Sequence, residues 1–282
     1  MTLKKFIILV SITVLVLFTG YQAYYRLGIY LPQHREKLDY FMTTQGKEIL
    51  KRGEDGKFAP FEIRGVDLGS GYPGEWAVDF AIDKKTYKRW FGYIQDLGAN
   101  TIRIYTIHHQ DFYDAFFEYN SQREKEGEEP LYLLHGVWVN DYVANSHNSA
   151  FDGAFLDTFL EDCRTVVDVI HGKASLKLGY QGEGSGTYRH DVSRWVIGYL
   201  PGVEWENTLV EYTNQINENK AGYTGRYLFT AENASPFETM LAMVGDKLIE
   251  YETERYGQQR MVAFSNWPTT DPFAYPLLVS DT

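Results

Sequence analysis

The chain has 282 residues, 44% hydrophobic and 16% aromatic, and a formal net charge of −11. That length and apolar content suit one large globular domain or two ordinary ones. With no cluster of Lys and Arg to neutralise phosphates, the composition excludes a nucleic-acid footprint.

Lys4 and Lys5 precede a charge-free run from Phe6 to Tyr25, whose 20 residues match the ~20 that span a bilayer as a helix. No small-x-small cleavage site follows its densest apolar part, so the run reads as an uncleaved signal-anchor. Residues 1–5 are then a cytoplasmic N-terminus, 6–25 a single transmembrane helix, and the bulk of the chain lies outside the cell membrane. Residues 26–58, polar and charged through GKEILKRGEDGKFAP, read as a stalk. The globular part is placed at 59–282.

Six apolar runs, most of them separated by helix-like segments, organise that part. The first, FEIRGVDLG (61–69), lies between Pro60 and the turn-rich GSGYPG, and carries Asp67. Asp83 caps a helix in which Tyr87, Trp90, Phe91, Ile94 and Leu97 recur at helical spacing until Gly98. TIRIYTI (101–107), a helix through DFYDAFFEYNSQ, and LYLLHGVWV (131–139) follow, then a helix from about Phe151 to His171. Cys163, the single cysteine, lies on the core-facing side of that helix and excludes an intrachain disulfide. A Gly-rich insertion leads to the fourth strand, in WVIGYLPGVEWEN (195–207), which stops at Gly202 and then presents Glu204 and Glu206. RYLFTAEN (226–233) reads as a fifth strand, MLAMVGDKLIEYETERYG as a helix, and MVAFSNWP (261–268) as a sixth strand.

Repeated strand–helix alternation predicts parallel strands joined by right-handed crossovers. A doubly wound sheet would carry a Gly-rich phosphate loop opening into a helix after its first strand. Here GSGYPGEW fails that pattern, so the expected fold is α/β, a (β/α)8-type TIM barrel. A barrel of this class takes about 250 residues. Too few remain after Pro268 for two more strand–helix units, so the barrel is expected to be incomplete, with about six strands.

In a barrel, polar residues at the C-terminal ends of strands gather on one face. The candidates are Asp67, Arg103 with Tyr105, Trp138 with Asn140 and Asp141, Glu204 with Glu206, Glu232 with Asn233, and Asn266 with Trp267. Indole faces stack on sugar rings, and amides and carboxylates bind hydroxyls, so the set suits an oligo- or polysaccharide. Asp67 and Asp141 also suit helix caps or turns, and Arg103 a buried ion pair. His135 reads as a hydrogen-bonded core histidine, and the adjacent His108 and His109 do not make a metal site. Neither a metal nor a cofactor is implied.

FEIRGVDLG, then LGANTIRIYTI, then a strand ending in Gly-x-Glu at Gly202 to Glu204, resemble the clan A glycoside hydrolases, which include β-1,3-glucanosyltransferases and β-galactosidase-type domains. The resemblance covers about Phe61 to Pro268. It implies a retaining glycoside hydrolase or transglycosylase with Glu204 as general acid/base and Arg103 supporting a nucleophile on the seventh strand. The clan usually has Asn before the acid/base, and this chain has Val203. Glu206, two residues on along an extended strand, is the alternative acid/base. The nucleophile strand is expected to be missing and the chain inactive as written, and the alternative is a non-catalytic glycan-binding or envelope protein.

Overall fold

A computed structural model describes residues 2–26, 38–139, 149–177, 184–202, 205–220 and 222–265. Helix α1, Leu3–Arg26, is apolar on all sides, and 22 of its residues, Leu3–Tyr24, are long and apolar enough to cross a membrane. Both of its threonine hydroxyls bond within the helix: Thr13 donates to the Leu9 carbonyl at 3.0 Å and Thr19 to that of Leu15 at 2.8 Å. No water is needed to solvate them.

The later part of the segment expected as a stalk forms strands. Strands β1 (Met42–Gln45), β2 (Glu48–Arg52) and β3 (Phe58–Pro60) form a three-stranded antiparallel sheet. A two-residue loop, Gly46 and Lys47, joins the first two, and Gly46 takes the positive φ of 61° that such a hairpin requires. Met42 and Leu50 are buried. Met42 packs with Ile49 and Phe61 against Tyr132, Ile197 and Met261. The segment is short and charged, but its few apolar residues cover the base of the next sheet, and that tertiary contact decides its structure.

The main sheet contains β4 (Gly65–Asp67), β5 (Thr101–Ile104), β6 (Tyr132–Val137), β9 (Val196–Pro201) and β10 (Met261–Val262). All pairings are parallel, in the order β10-β9-β6-β5-β4. Spatial order follows chain order without the reversal that marks a doubly wound sheet. Right-handed crossovers then place the connecting helices on one face. Those helices are α2 (Lys84–Asp96), α3 (Gln110–Glu126), α4 (Gly153–Ile170), α5 (Asn207–Ile216) and α6 (Pro236–Tyr256). Among the described residues the sheet is open, with β4 and β10 as its edges; no closed barrel is formed.

Strand alternation sorts the two faces. Ile102, Ile104, Leu133, Val137 and Val196 enter one large core with Phe91, Phe112 and Phe116 from α2 and α3 and Cys163 from α4. Asp83 caps α2 as expected, accepting from the Thr86 amide at 2.7 Å. Ser235 and Glu238 form a capping box that starts α6 ahead of Pro236. The Gly-rich insertion contributes a hairpin of β7 (Ala174–Leu176) and β8 (Gly186–Tyr188).

The expected fifth strand, 226–233, is not one. Its chain turns around the carboxylate of Asp246 on α6, which accepts from the Tyr227 amide at 2.6 Å, the Leu228 amide at 2.8 Å and the Tyr223 hydroxyl at 3.1 Å. A carboxylate that gathers backbone donors competes directly with a sheet ladder for them. Glu232 and Asn233 are exposed beyond this loop.

Candidate functional site

Register brings three of the expected residues together. Asp67 ends β4 directly opposite Arg103 of β5, and Tyr105 follows two residues later on the same face. The Tyr105 hydroxyl donates to Asp67 Oδ2 at 2.9 Å. Arg103 Nη1 stands 3.9 Å from Asp67 Oδ1, and its guanidinium lies 4.9 Å from the centre of the Tyr105 ring. The Arg103 side chain is 24% exposed and Asp67 52%. Arg103 Nε is buried and has no acceptor among the described residues.

Beside this trio is a recess of about 300 Å³ walled by Gly69, Phe80, Tyr105, Thr106, His108 and Trp138. Phe80 is the non-glycine residue with positive φ, 47°, among the described residues; strain of this kind is held only where the surroundings over-determine it. Its ring meets His108 edge-on at 5.9 Å. His108 is buried, and its Nδ1 lies 3.0 Å from the Tyr87 hydroxyl, within hydrogen-bond distance. Burial, with His135 nearby, lowers its pKa to about 3, so it presents a neutral imidazole. The Thr106 hydroxyl is buried without a partner among the described residues.

Thr106, His108 and Phe80 were not singled out as ligand contacts. Thr106 and His108 lie past the end of β5, where the chain bends at Tyr105 and Thr106, and Phe80 enters from the loop before α2, so the strand-end rule that marks Arg103 does not reach them. His135 is a core histidine as expected. It is fully buried, with Nε2 2.7 Å from the Tyr113 hydroxyl and Nδ1 2.7 Å from the Gly136 carbonyl. Burial lowers its pKa to about 4, with the Gly136 bond opposing. Neutral, it donates through Nδ1 and accepts through Nε2.

Glu206 is not on an extended strand. β9 ends at Pro201, Gly202 turns the chain at φ 79°, and Glu206 caps α5, accepting from the Leu209 amide at 3.1 Å and from the Thr208 hydroxyl. The geometric premise for a second acid/base two residues after Glu204 is thus corrected. The turn requires glycine, because a Cβ at Gly202 would stand 2.3 Å from the Trp205 ring. Trp205 itself is buried edge-on against Phe159 and Phe237. Asn140, Asp141, Glu204, Asn266 and Trp267 lie outside the described residues. Among the described residues, no three His, Cys, Asp or Glu side chains are grouped to hold a metal.

A second polar cluster occupies the opposite end of the sheet. Arg260, just before β10, donates through Nε to both Glu252 oxygens at 2.8 and 3.0 Å, and through Nη1 to the Ser193 and Val196 carbonyls at 2.7 Å. His171 Nε2 is 2.8 Å from Glu252 Oε1, and its ring stacks on Tyr256 at 3.7 Å. Burial alone would raise the Glu252 pKa, but Arg260 and His171 hold it down at about 2. Every member is tied to another, and the cluster lies where the strands begin, so it fastens α6 to the sheet. A comparison of the chain with protein-family models finds no match, and one with curated proteins finds none.

Proposed function

We propose that this chain is a membrane-anchored, extracytoplasmic protein whose cleft, at the C-terminal ends of β4, β5 and β6, takes an oligo- or polysaccharide, in the manner of a clan A glycoside hydrolase or transglycosylase. The observation that carries this reading is the trio Asp67, Arg103 and Tyr105 on adjacent parallel strands, beside a recess walled by Trp138 and Phe80. Aromatic walls suit the apolar face of a sugar ring, and a half-exposed carboxylate with a partly unpaired guanidinium suits its hydroxyls. The sequential strand order supports a barrel-type arc, in which that edge is the functional one. In this reading Glu204 protonates the leaving oxygen and Arg103 supports the nucleophile. The helix α1 is the anchor.

Retention of configuration needs two carboxyl groups about 5 to 5.5 Å apart. Asp67, the carboxylate of the trio, is already bonded to Tyr105 and lies beside Arg103. That engagement favours, as a second reading, glycan binding without cleavage.

The test uses the full chain in detergent micelles against a panel of neutral oligosaccharides of differing sugar and linkage. Tryptophan fluorescence reads binding and reducing-end release reads cleavage. Expected is saturable binding by one class, weakened about tenfold or more, roughly 1.4 kcal/mol, by Trp138→Ala and by Arg103→Ala. Reducing ends released, and abolished by Glu204→Gln, select the hydrolase; binding without release selects the binding protein. If no saccharide class changes the fluorescence or is cleaved, the glycan reading falls.

A further inference from the structure

The region where α1 meets the domain has a chemistry of its own. From Leu3 to Gly20 the helix is exposed on every side, and from Tyr21 to Tyr24 it is partly covered. An 18-residue exposed stretch is about 27 Å long at ~1.5 Å per residue, close to the ~30 Å hydrocarbon core of a bilayer. Tyr21 and Tyr24 therefore fall at the water interface, where tyrosine is favoured. The groups that cover them are cations from the β7–β8 hairpin. The Lys173 ammonium lies 5.1 Å from the centre of the Tyr24 ring, and Arg189 Nη2 donates to the Tyr21 hydroxyl at 3.4 Å.

Two side chains that touch interfacial tyrosines are held at headgroup depth by that contact. Lys177, exposed one residue after β7, adds a third cation on the same hairpin. None of the three has a carboxylate partner among the described residues. The nearby acids are turned elsewhere, Asp191 toward His171 at 3.9 Å and Asp114 toward His190 at 3.6 Å. In a chain with a net charge of −11, three cations on one hairpin, two of them against α1 and none with a carboxylate partner among the described residues, stand out against the prevailing sign.

We propose that the β7–β8 hairpin, through Lys173, Lys177 and Arg189, is a binding surface for the anionic phospholipid headgroups of the bilayer that holds α1. The proposal rests on the reading of α1 as an anchor. Headgroup phosphates would complete the charge pairing that the described residues leave open, and would fix the domain's tilt by a second point of attachment beside the helix.

The test reconstitutes the full chain into nanodiscs of phosphatidylcholine alone, or with one third phosphatidylglycerol, and measures lysine acetylation by mass spectrometry. Lys57, 85% exposed and remote in sequence, is the reference. Expected is a fall of about fivefold in labelling of Lys173 and Lys177 relative to Lys57 in the anionic discs. The difference should vanish at high salt, and for Lys173 in the K177E/R189E variant. Equal labelling in both discs, with the protein still resisting alkaline extraction, overturns the surface and leaves the anchor standing. Protein extracted by alkali overturns both. Equivalent protection in phosphatidylcholine discs by added inorganic phosphate overturns the assignment to lipid.

Discussion

Replacing Glu252 by Gln removes one charge and almost no volume from the cluster beneath the sheet. Glu252 and Arg260 are 1% and 2% exposed, so the guanidinium left behind has no water to turn to. Breaking one side of a buried pair costs about 3–5 kcal/mol. Proton linkage points the same way: Arg260 and His171 hold this carboxyl at about 2, well below the usual carboxylate range, so folding favours its ionised form. Urea unfolding of the full chain in detergent micelles, followed by tryptophan fluorescence, is the assay. With a slope of about 2–3 kcal/mol per molar, the midpoint of E252Q should fall by roughly 1 M. The pH dependence carries the sign. Because the folded pKa is depressed, the Glu252 contribution is complete above pH 4.5 and is lost as pH falls toward 2. Wild type should lose stability across that window, and E252Q should lose correspondingly less. An E252Q midpoint within error of wild type at pH 7 would refute the view that this pair fastens α6 to the sheet.

Two further substitutions probe the frame around the cleft. Gly136→Ala places a Cβ 2.6 Å from the Tyr105 carbonyl and 2.7 Å from that of Ile104, so β5 and β6 must part. A loss of about 3 kcal/mol or more is expected by the same urea assay, together with loss of the proposed saccharide binding beside Tyr105. Asp246→Asn keeps the shape of the group that gathers Tyr223, Tyr227 and Leu228, but turns a charged acceptor into a neutral amide. A cost of about 1–3 kcal/mol is expected, with faster amide exchange confined to residues 222–230 as the distinguishing readout.

Much of the parallel sheet was legible because most of its strands lie in apolar runs between turn signals, and Asp83 and Gly98 punctuate α2 as capping rules require. What escaped the sequence depends on partners far along the chain. RYLFTAEN has strand composition, yet Asp246, 20 residues from Arg226, claims its amides. FMTTQGKEILKR is too polar to suggest a core, yet Met42 is covered by Tyr132 and Ile197. In the cleft, Asp67, Arg103 and Tyr105 were legible as polar residues at the C-terminal ends of expected parallel strands. Phe80 and His108 enter from loops, where side-chain direction is set by local turns rather than by any period.

The small antiparallel sheet under the strands has a consequence for the order in which the chain is made. Met42 leaves the ribosome early, but one of its packing partners, Met261, follows 219 residues later. At a synthesis rate of about 5–20 residues per second this is a delay of roughly 10–45 s. Throughout that time α1 is available to enter a bilayer while the apolar side of the hairpin still lacks its last cover. In the proposed anchored topology, membrane insertion of α1 and completion of the fold are thereby separated in time.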